Sequence, residues 1–399
     1  MAEEKSWQPL ELAKVSADYL ARKHVPNPRL DAEILLCEVM GLQRRVDLYA
    51  GFERAISEKE LAAYRELIRR RALREPVSRI LGRREFMGME FRVTPDVLSP
   101  RPETELLVEA ALELFSPRAL RDPEPEQERG DAPATLAGGA VEAAMPAELE
   151  KLLDRYAEDV QDDGGCDGGD GGSGSGSDGD TTIHVARPST RVRIAASAER
   201  GRRGNSAYRP AMNAAANAAN AADGSGARMV RVLDLGTGSG CVAVAVAAHL
   251  PAARVVAVDA SPGALSVAKK NAAAANVTER VRFRQGDWFG GCRDGEVFDA
   301  ILSNPPYLIE GDESIWPEVS RYDPPAALYG GRDGLDCYRR IIPDAPEWLA
   351  PEGWLFLEVG AGQAGRVAEM LRRRGFRGVG IVQDYGGVER VVRAMAPGE

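Results

Sequence analysis

The residues of this chain best suited to chemistry are Asn304-Pro305-Pro306-Tyr307, which follow the apolar run Phe298-Asp299-Ala300-Ile301-Leu302-Ser303. At the carboxyl end of a parallel strand, such a unit supplies an amide side chain, a stiff carbonyl-rich backbone and an aromatic plate. An amide or exocyclic amine nitrogen is a weak nucleophile because its lone pair is delocalised, so acceptors must orient its NH2 group. The Asn304 side-chain oxygen and the Pro305 carbonyl can accept the two hydrogens, while the fixed φ and missing N–H of proline keep the backbone rigid. Tyr307 can stack on the planar group. The chemistry implied is methylation of an amino or amide nitrogen, with Asn304, Pro305, Pro306 and Tyr307 as catalytic and substrate-binding residues that act by orientation. Taken alone, the tetrapeptide also reads as a Pro-Pro turn closing a strand.

A second motif lies upstream, where Val230 to Leu235 leads into Gly236-Thr237-Gly238-Ser239-Gly240 and then the small apolar stretch Cys241 to Ala247. It reads as strand, glycine turn, helix. Glycines at alternate positions allow close approach of backbone to ligand, and the helix N-terminus offers free N–H groups. A dinucleotide loop wants Gly or Ala where Cys241 stands, so the fit to a nicotinamide site is imperfect. About twenty residues on, the strand Arg254 to Val258 ends in Asp259, the position from which an acid meets ribose hydroxyls. A third strand, Val281 to Gln285, runs into Asp287 and Trp288, an acid and an aromatic suited to adenine, although Trp288 equally fits a partly buried core position. Gly236 to Gly240, Asp259, Asp287, Trp288 and Asn304 together suggest S-adenosyl-L-methionine beside an amide-nitrogen acceptor.

Further segments carry a family resemblance. Phe86-Met87-Gly88-Met89-Glu90-Phe91 leads into Ser99-Pro100-Arg101-Pro102-Glu103-Thr104-Glu105-Leu106-Leu107-Val108. Tyr322-Asp323-Pro324-Pro325-Ala326-Ala327-Leu328-Tyr329-Gly330-Gly331-Arg332-Asp333-Gly334-Leu335 follows the tetrapeptide, and Leu357-Glu358-Val359-Gly360 and Asp384 to Val392 close the chain. With Asn304 to Tyr307 these segments resemble the HemK/PrmC methyltransferases, with Ser99 in place of Ile and Asp323 in place of Glu. The resemblance covers roughly residues 8–115 and 229–396. It implies an S-adenosylmethionine-dependent enzyme that methylates the glutamine amide in the Gly-Gly-Gln loop of peptide-chain release factors by direct SN2 transfer. By the same match, the glycine loop, Asp259, Trp288 and Asn304 become cofactor contacts.

These residues need a scaffold. Strands alternating with helical stretches over 229–399 indicate an α/β, doubly wound, Rossmann-like class I methyltransferase domain, with ligands above the carboxyl ends of the strands. The expected domains are a helical unit at 1–82, which the resemblance assigns to release-factor binding, a β-hairpin linker at 83–100, and the catalytic domain at 101–116 and 229–399. In the first unit, Leu10, Leu12, Val15, Tyr19 and Leu20 form one helical stripe, Leu30 to Met40 a second closed by Gly41, and Ser57 to Arg74 a third. Arg69-Arg70-Arg71 reads as a solvated face. Alternation over Phe86 to Val97 suggests the hairpin. Glu103 and Glu105 fit an acidic helix N-terminus, with a role at the active-site mouth as the other reading.

Residues 117–228 are different material, rich in Gly, Asp and Ser, then dotted with Arg, then an Ala/Asn tract, and cannot bury enough apolar surface to offset chain ordering. A low-complexity, disordered insertion is expected there, with a short amphipathic helix near Ala147 to Tyr156. The chain has 399 residues, 44% of them hydrophobic, and a net charge of -10, which argues against duplex nucleic acid as main partner. Five cysteines without metal spacing favour reduced thiols, and no metal is expected. The polar start Met1-Ala2-Glu3-Glu4-Lys5 and the absence of a long apolar span suggest a cytoplasmic protein with no membrane contact. A monomer is expected. Two other functions stay open: a DNA or RNA adenine amino-methyltransferase using the same tetrapeptide, and a non-catalytic S-adenosylmethionine-binding protein.

Overall fold

The computed structural model describes residues 7–50, 54–115, 194–195 (backbone only) and 228–398. The described residues divide into two compact units, 7–81 and 82–398. The expected insertion over 117–228, including the helix near Ala147, otherwise lies outside the described residues.

The first unit is helical, with helices Pro9–Arg22, Pro28–Met40, Val46–Ala50, Glu58–Ala72 and Val77–Leu81. Local signals explain their ends. Proline opens the first two, Gly41 closes the second at φ 67°, and Ser57 with Glu60 forms a capping box on the fourth. Leu12, Tyr19, Leu20, Leu35, Leu36, Tyr64 and Ile68 fill the core. Arg71 departs from the expected solvated face. It is buried, and its Nε donates to Asp31 at 2.7 Å, because its position on the helix turns it inward toward the second helix. Arg69 and Arg70 pair with Glu66 and Glu75.

The second unit begins with a hairpin of β1 (Arg83–Phe86) and β2 (Met89–Arg92), paired Phe86 to Met89. It lies earlier than the alternation over Phe86 to Val97 suggests. The turn falls at Met87-Gly88, whose φ values of 50° and 71° fit a two-residue hairpin turn with both central residues left-handed. Phe86 and Phe91 meet edge to face at 5.8 Å and bury into the main core.

The remaining strands form one sheet among the described residues: β3 (Ile194–Ala195), β4 (Val230–Leu235), β5 (Ala253–Asp259), β6 (Val281–Gln285), β7 (Phe298–Ser303), β8 (Leu349–Glu358), β9 (Arg377–Gln383) and β10 (Glu389–Met395). Their spatial order is β3-β9-β10-β8-β7-β4-β5-β6. Strands β6, β5, β4, β7 and β8 are mutually parallel, and β10 runs antiparallel between β8 and β9. Alternation along the strands divides the core: Val230 and Val232 face the helices Glu105–Phe115 and Cys241–His249, while Leu233 and Leu235 face Asp336–Trp348 and Ala364–Arg373. This is the doubly wound α/β architecture expected. The chain winds outward through β4, β5 and β6, then returns to place β7 on the other side of β4. Ligands bind beyond the carboxyl ends of strands at such a switch point. The glycine loop follows β4, and Asn304 follows β7.

Candidate active site

The loop after β4 is shaped by three left-handed glycines, Gly236, Gly238 and Gly240 at φ 73°, 54° and 81°. Gly240 has a second constraint, since a Cβ there would lie 2.9 Å from the Ala268 Cβ on the helix Pro262–Ala274. The Gly236 and Thr237 N–H groups donate to the Val258 carbonyl at 2.9 and 3.0 Å, tying the turn to β5. Beneath it Asp234 is buried, accepting from the Thr237 hydroxyl at 2.6 Å and from Ala243 N–H at the helix N-terminus at 3.2 Å. Asn271 donates to the Ser239 carbonyl at 2.8 Å and exchanges hydrogen bonds with the Arg92 backbone, so one amide joins the loop to the hairpin. No sequence signal assigns a role to Asp234 or Asn271. Asp234 stood inside the glycine motif, whereas nothing marked Asn271.

A cavity of about 400 Å³ opens beyond this loop, lined among others by Gly236, Gly238, Asp259, Asp287, Trp288 and Asn304. Asp259 accepts from Gly238 N–H and Ser261 N–H, both at 2.8 Å, which aims its carboxylate while leaving lone pairs for further donors. Trp288 is half-buried at φ 50°, with the Arg340 guanidinium 5.9 Å from its ring centre. Asp287 is exposed and pairs with Arg340 at 2.5 Å. Arg340 was not foreseen, because it belongs to a helix about fifty residues further along the chain. Thr237 and Ser239 line a small adjoining cavity of about 40 Å³ that also touches Arg101, Thr104 and Asn304, while Gly240 is buried against the neighbouring helix. The residues fit S-adenosylmethionine: side-chain-free backbone at Gly236 and Gly238, a carboxylate for hydroxyls, and an aromatic face share one cavity.

Asn304 also lines that cavity. Its Nδ2 donates to the Thr104 hydroxyl oxygen at 3.0 Å, an arrangement in which Oδ1 is turned away from Thr104 as an acceptor. The following residues are clamped by the segment 330–334. A Cβ at Gly330 would lie 2.5 Å from the Pro306 carbonyl oxygen, and Gln363 Nε2 donates to the Tyr307 carbonyl at 2.9 Å. Pro305 is buried, Pro306 lines the large cavity, and Tyr307 does not line it. The Tyr307 ring passes over Gly360, where a Cβ would lie 3.0 Å from Cδ2, and its hydroxyl donates to Glu358 Oε1 at 3.3 Å. Above the cavity, Arg101 meets the buried Asp323 at 2.6 Å and joins the 99–105 segment to the loop carrying Pro324. Thr104 and Glu358 belong to segments that carried the resemblance. Only the folded chain brings them to Asn304 and Tyr307.

Burial pushes two carboxyls of this region, Asp234 and Glu358, up to about 7. Each binds its proton more tightly folded than unfolded, so the stability it contributes is full below the unfolded carboxyl value near 4 and is lost as pH rises through about 7. The loss between pH 6 and pH 8 is on the order of 1 kcal/mol per group. The unfolding midpoint is therefore expected to be a few degrees higher at pH 6 than at pH 8 by calorimetry, with a smaller difference in Asp234→Asn. An unchanged or inverted order would refute the assignment.

Comparison with known proteins follows the same division of the chain. Residues 11–82 match the family described as PrmC N-terminal domain, and residues 223–318 the methyltransferase small domain. Release factor glutamine methyltransferase of Geobacter sulfurreducens is 36% identical across 94% of this chain and 92% of its own length. The protein of that name from Chlorobaculum tepidum is 32% identical across 99% of this chain and 100% of its own. A solved methyltransferase from Pyrococcus furiosus is 19% identical, covering 43% of this chain and 76% of its own at a TM-score of 0.34. On the strength of the full-length relatives, the chain belongs to the release factor glutamine methyltransferase family.

Proposed function

We propose that this protein methylates the side-chain amide nitrogen of the glutamine in the Gly-Gly-Gln loop of peptide-chain release factors, using S-adenosyl-L-methionine. The observation that carries the reading is the Asn304 amide, whose NH2 is engaged by Thr104 and whose oxygen is left for an N–H donor in the substrate. The cofactor supplies an electrophilic methyl group when bound. Gly236 to Gly240, Asp259, Asp287 and Trp288 hold it, with Asn304 at the boundary between cofactor and substrate. Asn304 Oδ1 and the backbone of Pro305 and Pro306 orient the amide in line, and Tyr307, held by Glu358 and Gln363 outside the cavity, braces that backbone. Orientation and exclusion of water carry the step, and the proton leaves after transfer, once the nitrogen has become acidic.

Residues 1–82 dock the release factor, and the catalytic domain is built from 101–116 and 229–399. The protein acts as a cytoplasmic monomer without direct nucleic-acid contact. The free thiols of Cys37, Cys241, Cys292 and Cys337 support a reducing compartment. Among the described residues, no helix is long and apolar enough to cross a membrane.

Incubation with labelled cofactor and purified release factors, intact or with the loop glutamine replaced, tests the reading. Label is expected on the intact factor alone. Label that persists after replacement, or that appears only on nucleic acid, would sink it.

A further inference from the structure

The tetrapeptide Asn304 to Tyr307 opens a loop whose base is closed where Leu308 N–H donates to the Leu328 carbonyl and Gly330 N–H to the Leu308 carbonyl, both at 2.9 Å. Asp323 stands within this loop, and Pro324, Ala326, Ala327 and Tyr329 just beyond it line the large cavity. A carboxylate is almost never fully buried without a partner. The Asp323 side chain is 1% exposed, and it accepts from the segment that precedes the helix Glu105–Phe115: Arg101 Nη2 donates to Oδ2 at 2.6 Å, and Ser99 N–H to Oδ1 at a longer 3.5 Å. That same segment reaches Asn304. The Arg101 carbonyl accepts Thr104 N–H at 3.1 Å across one tight turn, and the buried Thr104 takes the Asn304 NH2 on its hydroxyl oxygen at 3.0 Å.

We propose that Asp323 is a positioning residue for methyl transfer, which acts through Arg101 and the turn ending in Thr104 to fix the Asn304 amide relative to the cavity wall carried by its own loop. A buried ion pair is a poor source of stability, because desolvation offsets its attraction and apolar residues of similar volume often serve as well. What it supplies is geometry, since a charge-assisted hydrogen bond is short and directional. One loop thus carries part of the cofactor wall and also holds the residue that sets the acceptor-orienting amide. The methyl donor and the nitrogen are thereby kept in one frame. The inference rests on the proposed role of Asn304 as acceptor.

Asp323→Asn keeps the shape of the side chain and removes its charge, and Arg101, one-third exposed, can then turn to water. The full-length variant is expected to bind S-adenosylmethionine within about threefold of wild type, while kcat falls by about 10-fold or more, as displaced reacting groups do. Arg101→Met alone strands a buried carboxylate, so its unfolding midpoint is expected to drop by several degrees. Combining Arg101→Met with Asp323→Asn removes both charges and should restore that midpoint, yet the double variant should stay as slow as Asp323→Asn, because residues that act through one contact are non-additive. Wild-type kcat in Asp323→Asn, or a double variant that regains kcat along with stability, would reduce the pair to a structural role and overturn the proposal.

The second measurement needs no acceptor protein. The Asn304 side-chain amide signals in 15N spectra, assigned by their loss in Asn304→Ala, are expected to shift in Asp323→Asn and again in the double variant, whose stability is restored. Signals unmoved in both would overturn the inference, whatever the release-factor assay shows. Absence of transfer by wild type would defeat the proposed substrate and leave this spectroscopic test intact.

Discussion

Replacing Asn304 by alanine is expected to leave a folded protein that binds S-adenosylmethionine and transfers almost no methyl. Asn304 contributes one edge of a cavity of about 400 Å³ whose other walls, Gly236, Asp259 and Trp288, are untouched by the change. One lost hydrogen bond to the cofactor is worth about 1 kcal/mol, so affinity by calorimetry should stay within about tenfold. The transfer step has no such reserve. The delocalised amide reacts only when its NH2 is held in line, and loss of orientation costs about 100-fold or more in kcat. Asn304→Asp keeps an oxygen acceptor but brings a charge beside Thr104 and the buried Glu358, so it is expected to rescue little. Near-wild-type turnover of Asn304→Ala would refute the orienting role, and a cofactor affinity weakened more than 100-fold would make Asn304 chiefly a cofactor ligand.

The second large effect is expected at Gly334, a residue outside the cavity. Its φ is 71°, and a Cβ would lie 2.3 Å from the Tyr307 carbonyl oxygen and 2.4 Å from Gln363 Nε2. Alanine there cannot be absorbed by a rotamer change, because the first atom it meets is backbone. The left-handed conformation alone costs a non-glycine residue roughly 1–2 kcal/mol. The clash adds to this by parting Tyr307 from Gln363, whose amide also accepts from Gly360 N–H at 3.0 Å. Gly334→Ala is expected to lower stability by about 2–4 kcal/mol and to abolish transfer, since Tyr307 and Pro306 shift together. Gly311→Ala is the control: φ is 79°, nothing lies within 4 Å of its Cβ, and only the conformational cost of roughly 1–2 kcal/mol applies. Equal losses in denaturation and turnover for the two variants would show that the 330–334 segment does not clamp the tetrapeptide.

Much of this protein was legible before folding, for reasons that are local. The left-handed positions of the loop after β4 need glycine, the first helices announce themselves with proline, Ser57 and Gly41, and the parallel strands β5 and β7 are short apolar runs, one ending in Asp259 and the other just before Asn304. The doubly wound topology follows from their alternation with helices, and it carries the loop after β4 and the loop after β7 to one crevice. Where local pattern and structure differ, a tertiary constraint intervenes. Arg71 looked like a surface cation and is buried against Asp31. The hairpin turn fell at Met87-Gly88, because that pair alone takes the two positive φ values a tight turn demands.

By itself the sequence determined the fold class, the glycine loop and the place of the Asn304 to Tyr307 tetrapeptide after its strand, since each depends on backbone conformation or periodicity within a few residues. Only the tertiary structure decided which atoms of those residues are free to act. Thr104 meets Asn304 across 200 positions, Glu358 meets Tyr307 across 51, and Gln363 meets Tyr307 across 56. A hydrogen bond is directional and its donors are few, so the free face of an amide is set by whichever partner the fold delivers to the other face.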